Sequence, residues 1–272
     1  IAHYMNKQGS QLEGFGASVK EAGYDEIKYM KKISNDEKIK LNITEINKNN
    51  FISNIDNIIK FKSEPASIPH ETGFYLMSKS MNSKIKVVLS GEGADELFGG
   101  YGRLFQSPGD YYKKKINLFC KDKEIDHFLK RYCIFKDIDK KKYLNLETFN
   151  FKIHDEESMN YLDNIFMEVE HKNYFEKMYY IMFKVHLTNM LYRLDRMTMA
   201  SSIEARVPFL DRDLIEFIYS LPSCMKIRWK NKFSKIFSYF GNSESISEKL
   251  DIPKYILKKV AEGKIDKEII YR

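Results

Sequence analysis

Hydrophobic and polar residues in the first third of the chain follow two alternating periodicities. Runs that alternate every second residue, or that are rich in β-branched residues, predict strands, whereas apolar positions recurring every three or four residues predict helices. Strands are predicted at residues 12–18, 39–43 and 85–89. Helices are predicted at residues 24–33, 51–61 and 74–81. This order favours an α/β fold, with a parallel sheet covered by helices.

From about residue 105 the pattern becomes mostly helical and rich in aromatic residues. Aromatic stripes at helical spacing belong to a hydrophobic core far more often than to a cofactor site. Pro208 and Pro222 mark breaks between the later helices. Because no repeat or low-complexity linker separates the two regions, residues 1–272 are predicted to form one domain. Residues 1–104 would be its α/β, nucleotide-binding part and residues 105–272 its helical part.

Composition excludes several classes of protein. The 272 residues are 43% hydrophobic and 31% charged, which is typical of a globular chain rather than a disordered one. No stretch approaches the ~18 apolar residues of a membrane span, and three scattered cysteines indicate neither a disulfide framework nor a zinc site. The net charge of +7 invites an anionic partner. The lysine runs at 113–115 and 140–142 have acidic residues nearby, however, which favours solvated helix faces over nucleic-acid binding. We expect a cytoplasmic protein that binds neither nucleic acid nor a membrane.

The most informative segment is residues 87–101, where a strand leads into a glycine-containing loop and then a helix. Ligands of open α/β sheets bind outside the carboxyl ends of the strands, and glycines with free helix N–H groups suit an anion. The dinucleotide fingerprint would require a glycine where Glu96 stands, and the Gly-Lys-Ser/Thr ending of the Walker loop is missing. Three carboxylates, those of Glu92, Asp95 and Glu96, would repel a phosphate unless a cation bridged them. A nucleotide here therefore implies Mg²⁺.

These carboxylates also have a structural explanation. Asp95 and Glu96 lie where acidic side chains complement the dipole of the following helix, and spacing alone does not decide between this explanation and a functional one. Glu92 lies between two glycines ahead of the helix, where capping explains it less well. Its position therefore favours a role in chemistry.

Two long motifs carry a resemblance to a known family. Residues 90–101, Ser-Gly-Glu-Gly-Ala-Asp-Glu-Leu-Phe-Gly-Gly-Tyr, resemble a signature of the ATP-dependent, amide-forming domain of the asparagine synthetase family. Residues 194–211 resemble the helix and turn that support the active site of that family. Residues 23–26, 64–65 and 75–78 match more weakly and in the same order. The resemblance covers essentially the whole chain. It implies a parallel sheet of the adenine-nucleotide α-hydrolase (ATP pyrophosphatase) type, followed by a mostly helical region.

The resemblance implies a two-step reaction. The carboxylate of a small-molecule substrate attacks the α-phosphate of Mg-ATP to give an acyl-adenylate and pyrophosphate, and ammonia then displaces AMP to form an amide. Ser90 and Gly91 match family positions that touch the adenosine part of ATP. Ala17 and Ser18 match the backbone that lines the adenine.

Two of the acidic residues acquire roles through the same resemblance. Asp95 matches a Mg²⁺ ligand. Glu92 matches the residue that faces the acyl group and the incoming amine. A carboxylate there could accept a proton from ammonium, or it could only hold ammonia by hydrogen bonding.

The second motif is interpreted mainly as scaffold. Glu204 and Arg206 are expected to form a buried, hydrogen-bonded ion pair that fixes the turn into residues 207–209. Asp195 and Arg196 are expected to pair with each other, or Arg196 reaches toward the site. Glu96 is grouped with these supporting residues. The apolar positions expected in the core of this segment are Met197, Met199 and Ile203.

The chain departs from the family pattern at both ends. The pyrophosphate loop of the family, Ser-Gly-Gly-x-Asp-Ser, does not occur, and residues 1–7 resemble the helix that follows it. Residues 264–272 resemble the approach to a basic loop whose lysine contacts phosphates. We expect a sequence truncated at both ends, and we expect that these residues alone do not turn over. The family's glutaminase domain would begin with a cysteine, so it is expected to be absent here and to lie upstream or in trans.

One further difference from the family pattern leaves the identity of the acceptor carboxylate undecided. Met190 stands near a position where asparagine synthetases often carry a carboxylate. The acceptor is therefore aspartate, as in asparagine biosynthesis, or another carboxylate such as a sugar acid of a surface polysaccharide. The leading hypothesis is the synthetase part of a glutamine-dependent amidotransferase, with a homodimer left open. A degenerate, non-catalytic nucleotide-binding domain is the alternative, and a basic nucleic-acid-binding module ranks third.

Overall fold

The computed structural model describes residues 1–9, 11–19, 26–65, 70–116, 122–133, 142–143 and 151–271. The chain divides into two compact units. The first contains Ile1–Gly93, Thr188–Ile215 and Lys258–Arg272, and the second contains Ala94–Leu187 and Glu216–Leu257. The first unit thus includes two segments that the hydrophobic pattern grouped with the helical region. Among the described residues, no helix is both long enough and apolar enough to cross a bilayer.

Helices dominate the described part of the chain. The α-helices are α1 (Ala2–Lys7), α2 (Ile27–Asp36), α3 (Lys48–Lys62), α4 (His70–Met81), α5 (Ala94–Phe98), α6 (Gly102–Ile116), α7 (Glu124–Tyr132), α8 (Phe151–Glu168), α9 (Tyr174–Ile181), α10 (Thr188–Met199), α11 (Arg212–Ser220), α12 (Ser223–Lys226), α13 (Lys232–Phe237), α14 (Ser243–Ile246), α15 (Tyr255–Ala261) and α16 (Lys267–Ile270). A π-helix, Met182–Leu187, joins α9 to α10, and a 3₁₀ turn covers Pro208–Leu210. The strands are β1 (Glu13–Val19), β2 (Lys40–Ile46), β3 (Val87–Leu89), β4 (Glu204–Arg206), β5 (Arg228–Trp229) and β6 (Asp251–Ile252).

The mixed α/β class is confirmed, but the arrangement of strands differs from the predicted single sheet. In the described residues, β1 pairs with β2 in parallel, from Glu13 opposite Lys40 onward. Strand β3 pairs in parallel with β4 instead, with Leu89 opposite Arg206. Strands β5 and β6 form a separate antiparallel pair. Because β4, β5 and β6 have three residues or fewer, they are too short for an alternating pattern to reveal them.

Local signals explain where the helices of the first unit begin. The side chain of Asn47 accepts hydrogen bonds from the backbone N–H groups of Asn49 and Asn50, so α3 starts before the predicted residue 51. The helix ends where Ser63 adopts a left-handed conformation, with φ of 61°. Helix α1 confirms that the first residues are helical. The predicted start of α2 at residue 24, like the weak match at residues 23–25, lies outside the described residues.

The core of the first unit joins α3, α4 and α10. Ile58, Tyr75 and Met197 form its buried apolar cluster. The hydroxyl of Ser78 lies 2.9 Å from the carbonyl oxygen of Met197 and ties α4 to α10. Met197 and Ile203 are buried as predicted. The prediction for Met199 is wrong: its side chain is exposed, because residues two apart in a helix point to nearly opposite faces.

An aromatic core fills the second unit, as the spacing of its aromatic residues predicts. Tyr111 and Tyr174 meet edge to face with their ring centroids 5.3 Å apart, and Phe128 stacks on Tyr132. Such pairs contribute about 0.5–1.5 kcal/mol beyond the burial of their area. The buried apolar members of this cluster are Phe105, Tyr111, Ile125, Phe128, Leu162, Ile165, Phe166, Tyr174, Met178, Tyr179, Ile181 and Met182.

Lys226 is buried in this second unit, and its burial makes stability depend on pH. Burial lowers the pKa of Lys226 to about 8. Its ammonium lies over the rings of Tyr179 and Tyr219, 4.4 and 5.1 Å from their centroids, and these contacts offset part of the cost of burial. Since the folded pKa is depressed, the protonated lysine disfavours folding below pH 8. That penalty disappears as the pH rises toward 10.5, the usual pKa of lysine.

The variant Lys226→Met removes this penalty. Its free energy of unfolding should exceed that of the unchanged chain most below pH 8, and this difference should decline by about 3 kcal/mol between pH 8 and 10.5. Urea unfolding curves recorded from pH 6 to pH 10.5 measure this difference. A difference that is independent of pH would show that Lys226 keeps an ordinary pKa in the folded chain.

Candidate active site

The two long motifs meet at the end of strand β3. The backbone N–H of Ser90 donates to the carbonyl oxygen of Arg206 at 2.8 Å, so the parallel pairing of β3 with β4 continues to the first residue of the acidic loop. The side-chain oxygen of Ser90 then accepts a hydrogen bond from the N–H of Glu92 at 3.4 Å. The loop therefore leaves the sheet at its carboxyl edge, and the side chain of Ser90 stabilises its first turn.

The two glycines that flank Glu92 serve different purposes. Gly91 is exposed, and no atom lies within 4 Å of the place where a Cβ would stand. Gly93 has φ of +87°, and a Cβ there would lie 2.7 Å from Leu210 Cδ2 in the second motif. Open space is thus found at Gly91, whereas Gly93 is required by backbone conformation and packing.

Asp95 and Glu96 lie in α5, in the second unit, and their environments are opposite. The side chain of Asp95 is 37% exposed, and its Oδ1 lies 2.6 Å from Nζ of Lys254. Glu96 is 1% exposed and accepts a hydrogen bond from the hydroxyl of Tyr101 at 2.9 Å. Burial raises the pKa of Glu96. Nε2 of His186 lies 3.9 Å from the same carboxylate oxygen. Asp95 is therefore the accessible carboxylate and Glu96 the structural one, a distinction that spacing did not give.

The Gly-Gly pair at the end of the first motif shapes the surroundings of Asp95. Gly99 ends α5 with φ of +75°. The N–H of Gly100 donates to the backbone oxygen of Asp95 at 2.8 Å. A Cβ on Gly100 would overlap the Asp95 carboxylate and lie 2.6 Å from Cε of Lys254. Glycine at this position therefore makes room for the ion pair between Asp95 and Lys254.

The supporting residues of the second motif are more exposed than predicted. Nε of Arg206 lies 2.8 Å from Oε1 of Glu204, so the ion pair exists, but their side chains are 62% and 57% exposed. The prediction of a buried pair is wrong because alternate residues of β4 share one face, and here that face is open to solvent. Such exposed pairs contribute about 0–1 kcal/mol.

Asp195 and Arg196 do not form the expected pair. Both side chains are exposed, and the guanidinium of Arg196 lies over the ring of Tyr192, 5.1 Å from its centroid. Consecutive residues of a helix do not face each other, which accounts for the difference. Near them, the guanidinium of Arg193 contacts the sulfur of Met190.

Ala17 and Ser18 lie at the carboxyl end of β1, as predicted. In the parallel ladder they stand opposite Thr44 and Glu45 of β2, and the side chain of Ser18 is buried. Strands β1 and β3 belong to different two-stranded sheets in the described part of the chain, so no ladder hydrogen bond places Ala17 beside Ser90.

The chemistry of Asp95 suits a magnesium ion that arrives with a nucleotide. Within the described ranges, no group of three His, Cys, Asp or Glu side chains could enclose a metal. Mg²⁺ is usually held by one or two carboxylates together with substrate phosphates and water rather than by a protein cage. A single accessible carboxylate at Asp95 fits that arrangement.

Lys254 is the charged neighbour that sequence reasoning missed. It follows Pro253 far from the loop in sequence and carries no motif that would have drawn attention to it. Tyr101 belongs to the first motif, but its spacing from Glu96 did not predict the hydrogen bond between them.

The geometry defines a mixed α/β protein with an acidic, glycine-flanked loop after a parallel strand. The sequence model of the asparagine synthase family matches residues 1–272, so the chain belongs to that family. It is similar to asparagine synthetase [glutamine-hydrolyzing] 1 of Bacillus subtilis (strain 168), with 24% identity over 295 residues, which cover 96% of this chain and 41% of that protein. It is also similar to asparagine synthetase [glutamine-hydrolyzing] 3 of the same organism, with 27% identity over 84% of this chain and 32% of the relative. The chain thus spans less than half the length of these relatives.

Proposed function

We propose that this chain is the synthetase part of a glutamine-dependent amidotransferase that adenylates a substrate carboxylate with Mg-ATP and forms an amide with ammonia. Family membership and the names of the B. subtilis relatives support the class of reaction. The observation that carries the proposal is the hydrogen bond between Ser90 and Arg206, which joins the two long motifs at the carboxyl edge of a parallel sheet. This edge is where α/β proteins bind ligands.

The proposed nucleotide contacts lie at the ends of two strands. Ser90 and Gly91 would contact the adenosine part of ATP, and the open space at Gly91 supports a close approach of ligand to backbone. The backbone of Ala17 and Ser18 would line the adenine. These assignments belong with a sheet of the ATP pyrophosphatase type, which is itself part of the proposal.

The two acidic residues outside the core would divide the chemistry. Asp95 would hold Mg²⁺, which neutralises phosphate charge and stabilises the leaving pyrophosphate when bound. Glu92, half-buried between its two glycines, would accept the proton that ammonium must lose, or hold ammonia in place. Buried Glu96 would act on neither substrate but keep α5 in position through Tyr101.

The substrates follow from the same class of reaction. The acceptor would be aspartate, as the names of the relatives indicate, or a sugar acid. Ammonia would come from a glutaminase domain upstream or in trans, and the relatives are long enough to contain further domains. The reaction would take place in the cytoplasm, without nucleic acid or membrane as a partner, and a homodimer stays a prediction.

A carboxylate-dependent exchange assay tests this function. The complete protein is incubated with Mg-ATP, labelled pyrophosphate and either aspartate or a panel of sugar acids, first without and then with ammonium. We expect label to enter ATP only when a suitable carboxylate is present, and AMP and amide to accumulate only with ammonium. Absence of exchange with every carboxylate, from protein that melts cooperatively, would favour the degenerate domain instead.

A further inference from the structure

Lys254 has a backbone conformation that residues with a Cβ rarely adopt. Its φ is 53°, in the left-handed region, and its N–H donates to the carbonyl oxygen of Phe98 at 3.2 Å. Such a conformation persists only where the surrounding structure holds it. The hydrogen bond fastens Lys254 to the last residue of α5, the helix that carries Asp95.

The side chain of Lys254 ends at the Asp95 carboxylate. Nζ lies 2.6 Å from Oδ1, so the two groups form a close ion pair. Asp95 is held a second time through its backbone oxygen by Gly100, whose missing Cβ leaves the space that Cε of Lys254 requires. Asp95 is therefore held at two points, its carboxylate by Lys254 and its backbone oxygen by Gly100.

The pair remains accessible to solvent, unlike its neighbour. The side chains of Asp95 and Lys254 are 37% and 31% exposed, so either group can exchange its partner without unfolding α5. Glu96, the adjacent carboxylate, is buried and accepts a hydrogen bond from Tyr101.

We propose that Lys254 is a positioning residue that acts as the internal counter-ion of Asp95, and that a divalent cation must displace its ammonium to bind. The inference rests on the proposed function, in which Asp95 holds Mg²⁺. A bare cation would meet a carboxylate already neutralised, with a like charge beside it. A cation that arrives on a polyphosphate brings negative charge that the displaced ammonium can pair with. Lys254 thereby favours the metal–nucleotide complex over the metal alone.

Metal binding by the complete protein tests the inference, with Mn²⁺ as the probe and its electron paramagnetic resonance signal as the readout. In the absence of nucleotide, Lys254→Met should bind Mn²⁺ about 5–10-fold more tightly than the unchanged protein, because one nearby positive charge is lost. In the exchange assay the same variant should raise KM for Mg-ATP several-fold. Lys254→Arg should restore both values toward those of the unchanged protein.

Matched variants separate this effect from general changes. Lys235→Met removes one exposed lysine from α13 in the same unit and should leave Mn²⁺ affinity unchanged. Lys254→Asn removes the ammonium but keeps a residue that tolerates the left-handed backbone, so it should reproduce Lys254→Met even if the methionine variant folds poorly. Asp95→Asn combined with Lys254→Met should abolish the gain in affinity.

The outcomes distinguish this inference from the proposed function. Unchanged Mn²⁺ affinity in both Lys254→Met and Lys254→Asn, together with normal exchange in the unchanged protein, would overturn the inference and leave the function standing. A gain in Mn²⁺ affinity that requires Asp95, in a protein without exchange activity, would support the counter-ion while the proposed function failed.

Discussion

Replacement of Asp95 by asparagine in the complete protein is expected to slow carboxylate-dependent ATP–pyrophosphate exchange by about 10²–10³-fold. Replacement of Glu92 by glutamine should leave exchange nearly unchanged and should slow amide formation by about 10²–10⁴-fold. The two carboxylates lie three residues apart, on opposite sides of the point where the loop becomes α5. If each variant slows a different step, Asp95 is assigned to adenylation and Glu92 to amide formation.

The physical reason is that each substitution keeps the shape of the side chain and removes its charge. Asparagine at position 95 cannot neutralise a bound cation, so charge that develops on the leaving pyrophosphate loses its stabilisation. Glutamine at position 92 cannot accept a proton, so the attacking amine stays protonated. Asp95→Asn also breaks the ion pair with Lys254, and its melting temperature shows whether α5 survives that loss.

Two exposed acidic residues provide matched controls. Asp36→Asn at the end of α2 and Glu170→Gln after α8 remove the same charges from the surface, and both should retain full exchange and amide formation. Exchange is measured without ammonium and amide formation with saturating ammonium. Equal losses of exchange in Asp95→Asn and Glu92→Gln would show that both residues serve adenylation and would contradict this division.

Local patterns were sufficient to predict most elements of the first unit but not how its strands pair. Strands β1 and β2 and helices α3 and α4 are long enough for their periodicity to show, and each lies within a few residues of its predicted position. The partner of β3 is a three-residue strand far along the chain. No periodicity marks so short a strand, so its pairing depends on tertiary contacts that a local pattern does not contain.

In the candidate site, too, the sequence predicts local features but not those that depend on tertiary contacts. The loop itself could be placed from its glycines and the preceding strand. The difference in exposure between Asp95 and Glu96 could not be predicted, because both residues occupy the first turn of α5 and only the packing around that turn buries one of them. Lys254 comes from a distant segment. The ion pair of Glu204 and Arg206 was predicted correctly, but its burial was not, since the exposure of a strand face depends on what covers it.

Gly93→Ala is expected to lower the free energy of unfolding by about 2–3 kcal/mol, the second large effect. With φ of +87°, the residue occupies the left-handed region, which costs an L-residue about 1–2 kcal/mol. The added Cβ would lie 2.7 Å from Leu210 Cδ2, so Leu210 must shift as well. Since Leu210 belongs to the second motif, the substitution should also disturb the packing between the two motifs.

Gly91→Ala is the matched control, because no atom lies within 4 Å of its added Cβ. Its free energy of unfolding should stay within about 0.5 kcal/mol of that of the unchanged chain. Urea unfolding followed by circular dichroism measures both variants. Leu210→Ala alone provides the reference for the double variant. Adding Gly93→Ala to it should cost only the part of the loss that comes from backbone strain, because the close contact with Leu210 is already gone. Equal stability of the two single alanine variants would mean that neither the backbone conformation nor the contact with Leu210 requires glycine at position 93.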